Sequence, residues 1–192
     1  MPTLVLASAS PYRRELLARL ALPFETCDPQ LREAHLAGES PADRALRLAL
    51  AKARAVARQR PDSIVIGSDQ VAAAGDEVLD KPGDTKGARS QLAALSGRSA
   101  VFYTACAVLG GADGLHLAHV DTTRVVFRSL SAQEIERYVA HEQPYDCAGS
   151  FKVEALGVSL LECVEGQDPT ALIGLPLIWL AGALRAAGFQ LP

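Results

Sequence analysis

The opening of the chain constrains its fold more than any other segment. Leu4-Val5-Leu6-Ala7 reads as a short apolar strand, Ser8-Ala9-Ser10-Pro11 follows, and Tyr12-Arg13-Arg14 opens a helix. Ser10 is a good N-cap, and Pro11 suits the first helical position. Arg13 and Arg14 then fall in the first helical turn, where the macrodipole is positive and cations are disfavoured. A local rule broken at a strand-to-helix turn points to a functional site. A bound anion relieves the conflict, held by free backbone N–H groups, the Ser8 and Ser10 hydroxyls and the two guanidiniums. Phosphate fits that description.

The rest of the composition narrows the partners. At 192 residues the chain suffices for one domain, or two closely joined lobes, with a real core. Its net charge of -3 argues against a nucleic-acid polymer, which calls for a basic surplus. Cationic residues clustered in a mildly acidic chain suit a small anionic ligand instead. Cys27, Cys106, Cys147 and Cys163 form no zinc-ligand spacing and read as free thiols of a cytoplasmic protein. No signal peptide precedes the strand pattern at Thr3. The most apolar stretch, residues 171–187, is interrupted by Pro176 and carries Arg185, so it reads as a buried helix rather than a membrane span.

Further elements follow from pattern. Ser40-Pro41 starts a helix to about Arg60, and residues 63–67 form a compact β-branched run that predicts a buried strand. Residues 71–79 suggest a hairpin turning near Gly75-Asp76. A helix is expected over 85–95, ended by Ser96-Gly97, then long strands over 100–109 and 115–127 joined by Gly110-Gly111 and Asp113-Gly114. Ser131-Ala132-Gln133-Glu134 is a capping box for a helix to about His141. A polar loop over 143–149, a strand over 158–164, a helical stretch from Asp168-Pro169 and a last helix over 176–187 complete the reading. Strands and helices mix without strict alternation, which predicts an α/β or α+β fold with a mixed sheet. The whole of 1–192 reads as one domain, with a semi-separate lobe over about 100–141 left open.

Asp69 is the leading candidate for chemistry. It is expected just past the end of the 63–67 strand, where open α/β sheets bind ligands. There a carboxylate activates a water or holds a divalent metal, unless it merely caps its own turn. Lys52 shares an apolar helix face with Leu48 and Val56, so it either snorkels outward or points into a site. Glu33 stands in a polar loop as a metal ligand or a solvated side chain. Lys81 follows the expected hairpin and means little by itself. Glu154 follows the Gly149-Ser150 turn, on a site wall or an exposed edge. His35, His116, His119 and His141 suggest no triad, and no P-loop or Rossmann fingerprint occurs.

Taken in order, these segments resemble the Maf family of nucleoside triphosphate pyrophosphatases over nearly the whole chain. The resemblance runs through Leu6 to Leu17, Lys52-Ala53, Gly67-Ser68-Asp69-Gln70, Asp80-Lys81-Pro82, Ser96-Gly97, Gly149-Ser150-Phe151 and Leu172-Ile173-Gly174-Leu175-Pro176. Ser-Pro-Tyr-Arg-Arg, Gly-Ser-Asp-Gln-Val and Cys-Ala-Gly-Ser-Phe-Lys look like its YceF-type subgroup, linked to 7-methyl-GTP. The dTTP/UTP subgroup usually has Arg where Tyr12 stands and Thr where Gln70 stands. One departure is Arg32, where the family often has an acidic neighbour of Glu33.

The resemblance implies a Maf/ITPase-like α/β fold: a mixed, elongated central sheet flanked by helices, with two lobes and a cleft. It implies a cytoplasmic hydrolase of acid anhydrides that clears modified nucleotides, uses a divalent cation such as magnesium or manganese, and often forms a homodimer. Ser8, Ser10, Arg13, Arg14, Lys52 and Lys81 would bind phosphate, and Asp69 would accept the proton. Tyr12, Gln70 and Glu154 would tune substrate specificity, and Glu33 with Asp69 would hold the metal. Tyr12 stacking on the cationic methylated ring and Glu154 accepting from the guanine edge favour 7-methyl-GTP. The alternatives are a dTTP/UTP pyrophosphatase and a non-catalytic nucleotide-binding regulator of cell division.

Overall fold

The computed structural model describes residues 2–75, 77–110 and 114–192. Among these residues the chain forms seven strands: β1 (Thr3–Ala7), β2 (Glu25–Cys27), β3 (Ser63–Ala74), β4 (Glu77–Leu79), β5 (Ser99–Gly110), β6 (Leu115–Phe127) and β7 (Leu161–Glu165). Five α-helices accompany them: α1 (Pro11–Ala18), α2 (Pro41–Ala57), α3 (Thr85–Leu95), α4 (Ala132–Glu142) and α5 (Leu177–Ala186). The strands make one mixed sheet in the order β2-β1-β3-β5-β6-β7, with β4 pairing off β3. The α/β class expected from the sequence is therefore the architecture found.

Contacts divide the chain into two units. One holds residues 1–70, 104–121 and 168–192, the other 71–103 and 122–167. The 100–141 stretch is thus shared between them, because β5 and β6 are long enough for residues 104–121 to join the first unit.

In the first unit, strand alternation sorts side chains to the two sheet faces. Leu4, Leu6, Ile64, Ile66, Cys106 and Val108 pack with Leu16 and Leu17 of α1 and Leu177, Leu180 and Leu184 of α5. Val5, Ala7, Val65, Ala107 and Leu109 pack with Ala53 and Val56 of α2. Both faces are covered, which is why these strands read as continuous apolar runs. β1 pairs parallel with β2 and with β3, where Ala7 faces Gly67. No helix among the described residues is long and apolar enough to cross a membrane.

In the second unit, β3 and β4 form the expected hairpin, Ala72 opposite Leu79; Asp76 of its turn, like Gly111 and Asp113 of the next, lies outside the described residues. The Phe151 ring sits edge-on to Phe102 and Phe127, at 5.5 and 5.3 Å between centroids. The capping box at Ser131 and Glu134 is present. The strand expected over 158–164 is displaced: residues 156–160 form a 3₁₀ turn, and β7 begins at Leu161. Gly157 lies so close to the Lys152 carbonyl that a Cβ would stand 2.4 Å from its oxygen, and Arg128 Nε donates to Ser159 O at 2.8 Å. Both fold the segment into a turn.

Candidate active site

β3 extends well beyond the run that predicted it. Asp69 lies inside this strand, not past its end as expected. β1 stops opposite Gly67 while β3 continues into its pairing with β4. Asp69 therefore still stands beyond the carboxyl end of β1, where the chain turns into α1.

The pleat sends successive β3 residues to opposite faces. Gly67 and Asp69 face α2. A Cβ on Gly67 would lie 2.2 Å from Ala49 O and 2.7 Å from Ala53 N, so only glycine permits this approach of strand and helix. That approach brings Lys52 to Asp69. Lys52 Nζ is 2.5 Å from Asp69 Oδ1 and 2.5 Å from Glu33 Oε1. Lys52 and Asp69 are only 8% and 6% exposed. Of the two readings of Lys52, the inward one is found: it is a buried ammonium between two carboxylates. Asp69 Oδ2 makes no hydrogen bond among the described residues.

Ser68 and Gln70 face the other way, onto a turn at residues 171–174. Ser68 Oγ lies within hydrogen-bond distance of the carbonyls of Ala105 (2.8 Å) and Gly174 (3.0 Å). Arg13 Nε donates to that same Gly174 oxygen at 3.0 Å. The α1 guanidinium and the residue beside Asp69 thus meet at one carbonyl. Gly174 has φ +132°, a backbone conformation that favours glycine and aims its carbonyl at both donors. No local pattern marks Ser68 or Gly174 as functional, although both lie within segments that carry the family resemblance. The Gln70 amide donates to Thr104 Oγ1, Ala171 O and Leu172 O at 2.9–3.1 Å. Its amide donors are engaged by protein groups.

The α1 entrance follows the sequence in outline and differs in detail. Ser10 caps α1, accepting from Arg13 N at 3.4 Å, and Pro11 opens the helix. Ser10 N donates to Ser8 Oγ at 3.1 Å, and Arg14 N to Ser10 O at 3.2 Å. Most backbone N–H groups expected to await an anion are therefore already satisfied. What remains for an anion is cationic. Arg14 is exposed and pairs with no described residue, and no described residue takes the Nη groups of half-buried Arg13. Half-buried Tyr12 lies between Pro11 and Arg13 in the same turn.

Lys81 and Glu154 belong to the second unit. Exposed Lys81 follows β4, next to Asp80, whose carbonyl accepts from Gln91 Nε2 at 3.1 Å. Gln91 Oε1 in turn accepts from Ser150 Oγ at 2.5 Å. Desolvation holds the Glu154 carboxyl above its ordinary range, with Lys152 opposing and Glu142 and Asp146 adding to the rise. All four cysteines are free.

Comparison with known proteins identifies the family. The pattern of the family described as "Maf-like protein" matches residues 3–187. A protein of Aromatoleum aromaticum is 54% identical over 98% of this chain and 97% of its own length. One from Xanthomonas oryzae pv. oryzae is 52% identical over the full length of both. One from Cupriavidus metallidurans is 51% identical over 98% of this chain and 94% of its own. All three are named 7-methyl-GTP pyrophosphatase. Among solved structures, the Staphylococcus aureus Ham1 protein aligns at 15% identity and a TM-score of 0.46, over 65% of this chain and 71% of that one. With nearly its whole length matched and relatives above half identity, the chain belongs to the Maf family.

Proposed function

We propose that this protein hydrolyses 7-methyl-GTP between its α and β phosphates, giving 7-methyl-GMP and pyrophosphate. The observation that carries the reading is the Lys52 ammonium between Asp69 and Glu33, with Arg13 reaching the carbonyl shared with Ser68. Cations and a buried carboxylate gathered in this way suit phosphoryl chemistry, which rests on positioning and charge stabilisation. The names of the relatives support the substrate.

Asp69 Oδ1 is engaged by Lys52, which leaves Oδ2 to accept the proton of the attacking water. As the water oxygen bonds to the α-phosphorus, the bridging P–O bond breaks and its electron pair leaves with pyrophosphate. Arg13, Arg14 and Lys52 offset the charge on the phosphates, and the Ser8 and Ser10 hydroxyls orient them. Glu33 Oε1 and Asp69 Oδ1 are taken by Lys52 Nζ, so a divalent cation, magnesium or manganese, would be held by the other carboxylate oxygens of the two residues. No group of three or more His, Cys, Asp and Glu able to hold a metal occurs among the described residues. Magnesium uses one or two carboxylates and takes further oxygens from phosphate and water. When bound, the cation would neutralise phosphate charge.

Tyr12 would stack on the guanine ring, which N7 methylation makes cationic. Gln70 would act by shaping the 171–174 turn. Lys81 and Glu154 keep the roles expected from the sequence, on phosphate and base, and their test is kinetic. Four free thiols suit a reducing compartment, which supports a cytoplasmic reading.

Pyrophosphate release from 7-methyl-GTP, GTP, dTTP and UTP, with magnesium or manganese, tests the proposal. The methylated nucleotide is expected to lead. Asp69→Asn should lose about 10²- to 10⁴-fold in turnover, and Glu154→Ala about 1–3 kcal/mol of discrimination against UTP. UTP turned over as fast as 7-methyl-GTP would end the base assignment, and full activity in Asp69→Asn would end the assigned role of that carboxylate.

A further inference from the structure

Glu33 reaches Lys52 from a segment without helix or strand, residues 28–40, and its side chain is 45% exposed. A carboxylate on irregular chain keeps one position only if its backbone is held. Contacts within the loop and from α2 hold it. Ala34 N donates to Arg32 O at 3.1 Å, closing a tight turn with Glu33 at its apex. The Ala34 carbonyl accepts from Arg47 Nη2 at 3.0 Å. Arg47 is itself locked, its Nε and Nη2 forking onto Glu39 Oε1 and Oε2 at 2.5 and 2.7 Å. Beside it, Arg44 Nη2 meets His35 Nε2 at 2.9 Å. Arg44 and Arg47 sit on α2, the helix that also carries Lys52. One rigid element therefore supplies both the ammonium that Glu33 pairs with and the fork that fixes the loop.

We infer that Arg47 is a positioning residue, whose guanidinium, set by Glu39, holds the Ala34 carbonyl and thereby keeps the Glu33 carboxylate on Lys52 beside Asp69. Arginine is needed because a planar fork reaches the carboxylate and the carbonyl together, whereas lysine offers a single point of charge. The inference rests on the nucleotide site proposed above.

Two measurements on the full chain test it. The first is hydrogen exchange without nucleotide. In Arg47→Ala, amides of residues 30–38 are expected to exchange at least about tenfold faster, while the inner amides of α2 hold their rates. The second is a double-mutant cycle on 7-methyl-GTP hydrolysis with magnesium. Arg47→Ala is expected to lower kcat about tenfold or more with KM nearly unchanged, and to add nothing in a Glu33→Ala background. A purely structural role would lower activity by the same factor in both backgrounds, and that result overturns the inference, as does unchanged exchange in the loop. If Arg47→Ala does not fold, Arg47→Lys decides, with the same pattern at smaller amplitude expected. If the wild-type protein turns over no 7-methyl-GTP, the functional reading fails, and the exchange experiment still judges the clamp.

Discussion

Gly67→Ala is the most demanding test of how the site is assembled. Gly67 does not have positive φ, so alanine meets no backbone strain there. The obstacle is steric. The new Cβ would stand 2.2 Å from Ala49 O, 2.7 Å from Ala53 N and 2.8 Å from Ala53 Cβ. Two of these atoms are backbone of α2 and cannot rotate aside. Restoring ordinary contact requires strand and helix to part by roughly 1 Å, and overpacking of this kind costs about 1–3 kcal/mol. Lys52 lies in the same helical turn and would withdraw with it, lengthening its 2.5 Å contact with Asp69. A displacement of about 1 Å at a catalytic group can cost on the order of 100-fold in rate. We therefore expect turnover to fall about 100-fold, and Tm to fall by roughly 2–12 °C for a chain of this size. Calorimetry and pyrophosphate release on one preparation read both. A variant with Tm within about 2 °C of wild type and full turnover would show that the close packing of β3 on α2 does not set Lys52, and the account of the site would fall.

Other substitutions separate the contributions. Lys52→Met leaves Asp69, 6% exposed, without its cation, and should destabilise by about 3–5 kcal/mol; urea unfolding within about 1 kcal/mol of wild type would contradict the pairing. Gly182, on the exposed side of α5, has open space where a Cβ would go, so Gly182→Ala should stabilise by about 0.5–1 kcal/mol, and a lower Tm would refute this. Ser131 N and Oγ and Arg128 Nη2 all donate to the Glu134 carboxylate, holding it down from 4.5 to about 2. A depressed carboxyl stabilises above its unfolded value and loses that contribution as pH falls toward the folded one. Glu134→Gln should accordingly show a shallower loss of Tm between pH 4.5 and about 2 than wild type, and equal slopes would count against the capping-box contribution.

How much of this was legible in the sequence depended on the range of the interaction. Local signals read well, since caps and turns are chosen by near neighbours: Ser10, Ser40 and Ser131 each cap the helix that follows. Two boundaries were misplaced for reasons remote in sequence. β3 runs past Gly67 because β4 supplies a new partner, and the chain turns at Gly157 because it must clear the Lys152 carbonyl. Gln70, expected to tune specificity, has an amide whose acceptors at Ala171 and Leu172 lie about a hundred positions away.

The site announced itself through residues that break the rules of their own element. Arginine in a helix's first turn, lysine on an apolar stripe and glycine within a buried strand each cost stability locally. Each is resolved by a partner on another element: Gly174 for Arg13, the paired carboxylates for Lys52, and the α2 backbone for Gly67. Such partners are invisible to periodicity, which explains why Arg13 and Lys52 stand out in the sequence while Gly67, Ser68, Gly174 and Arg47 do not. Arg47 obeys every local rule: a charged residue on an amphipathic helix looks like solvated surface until the loop it grips is in place. A positioning residue of this kind leaves no mark on a single sequence, because what makes it matter is geometry between segments rather than conflict within one.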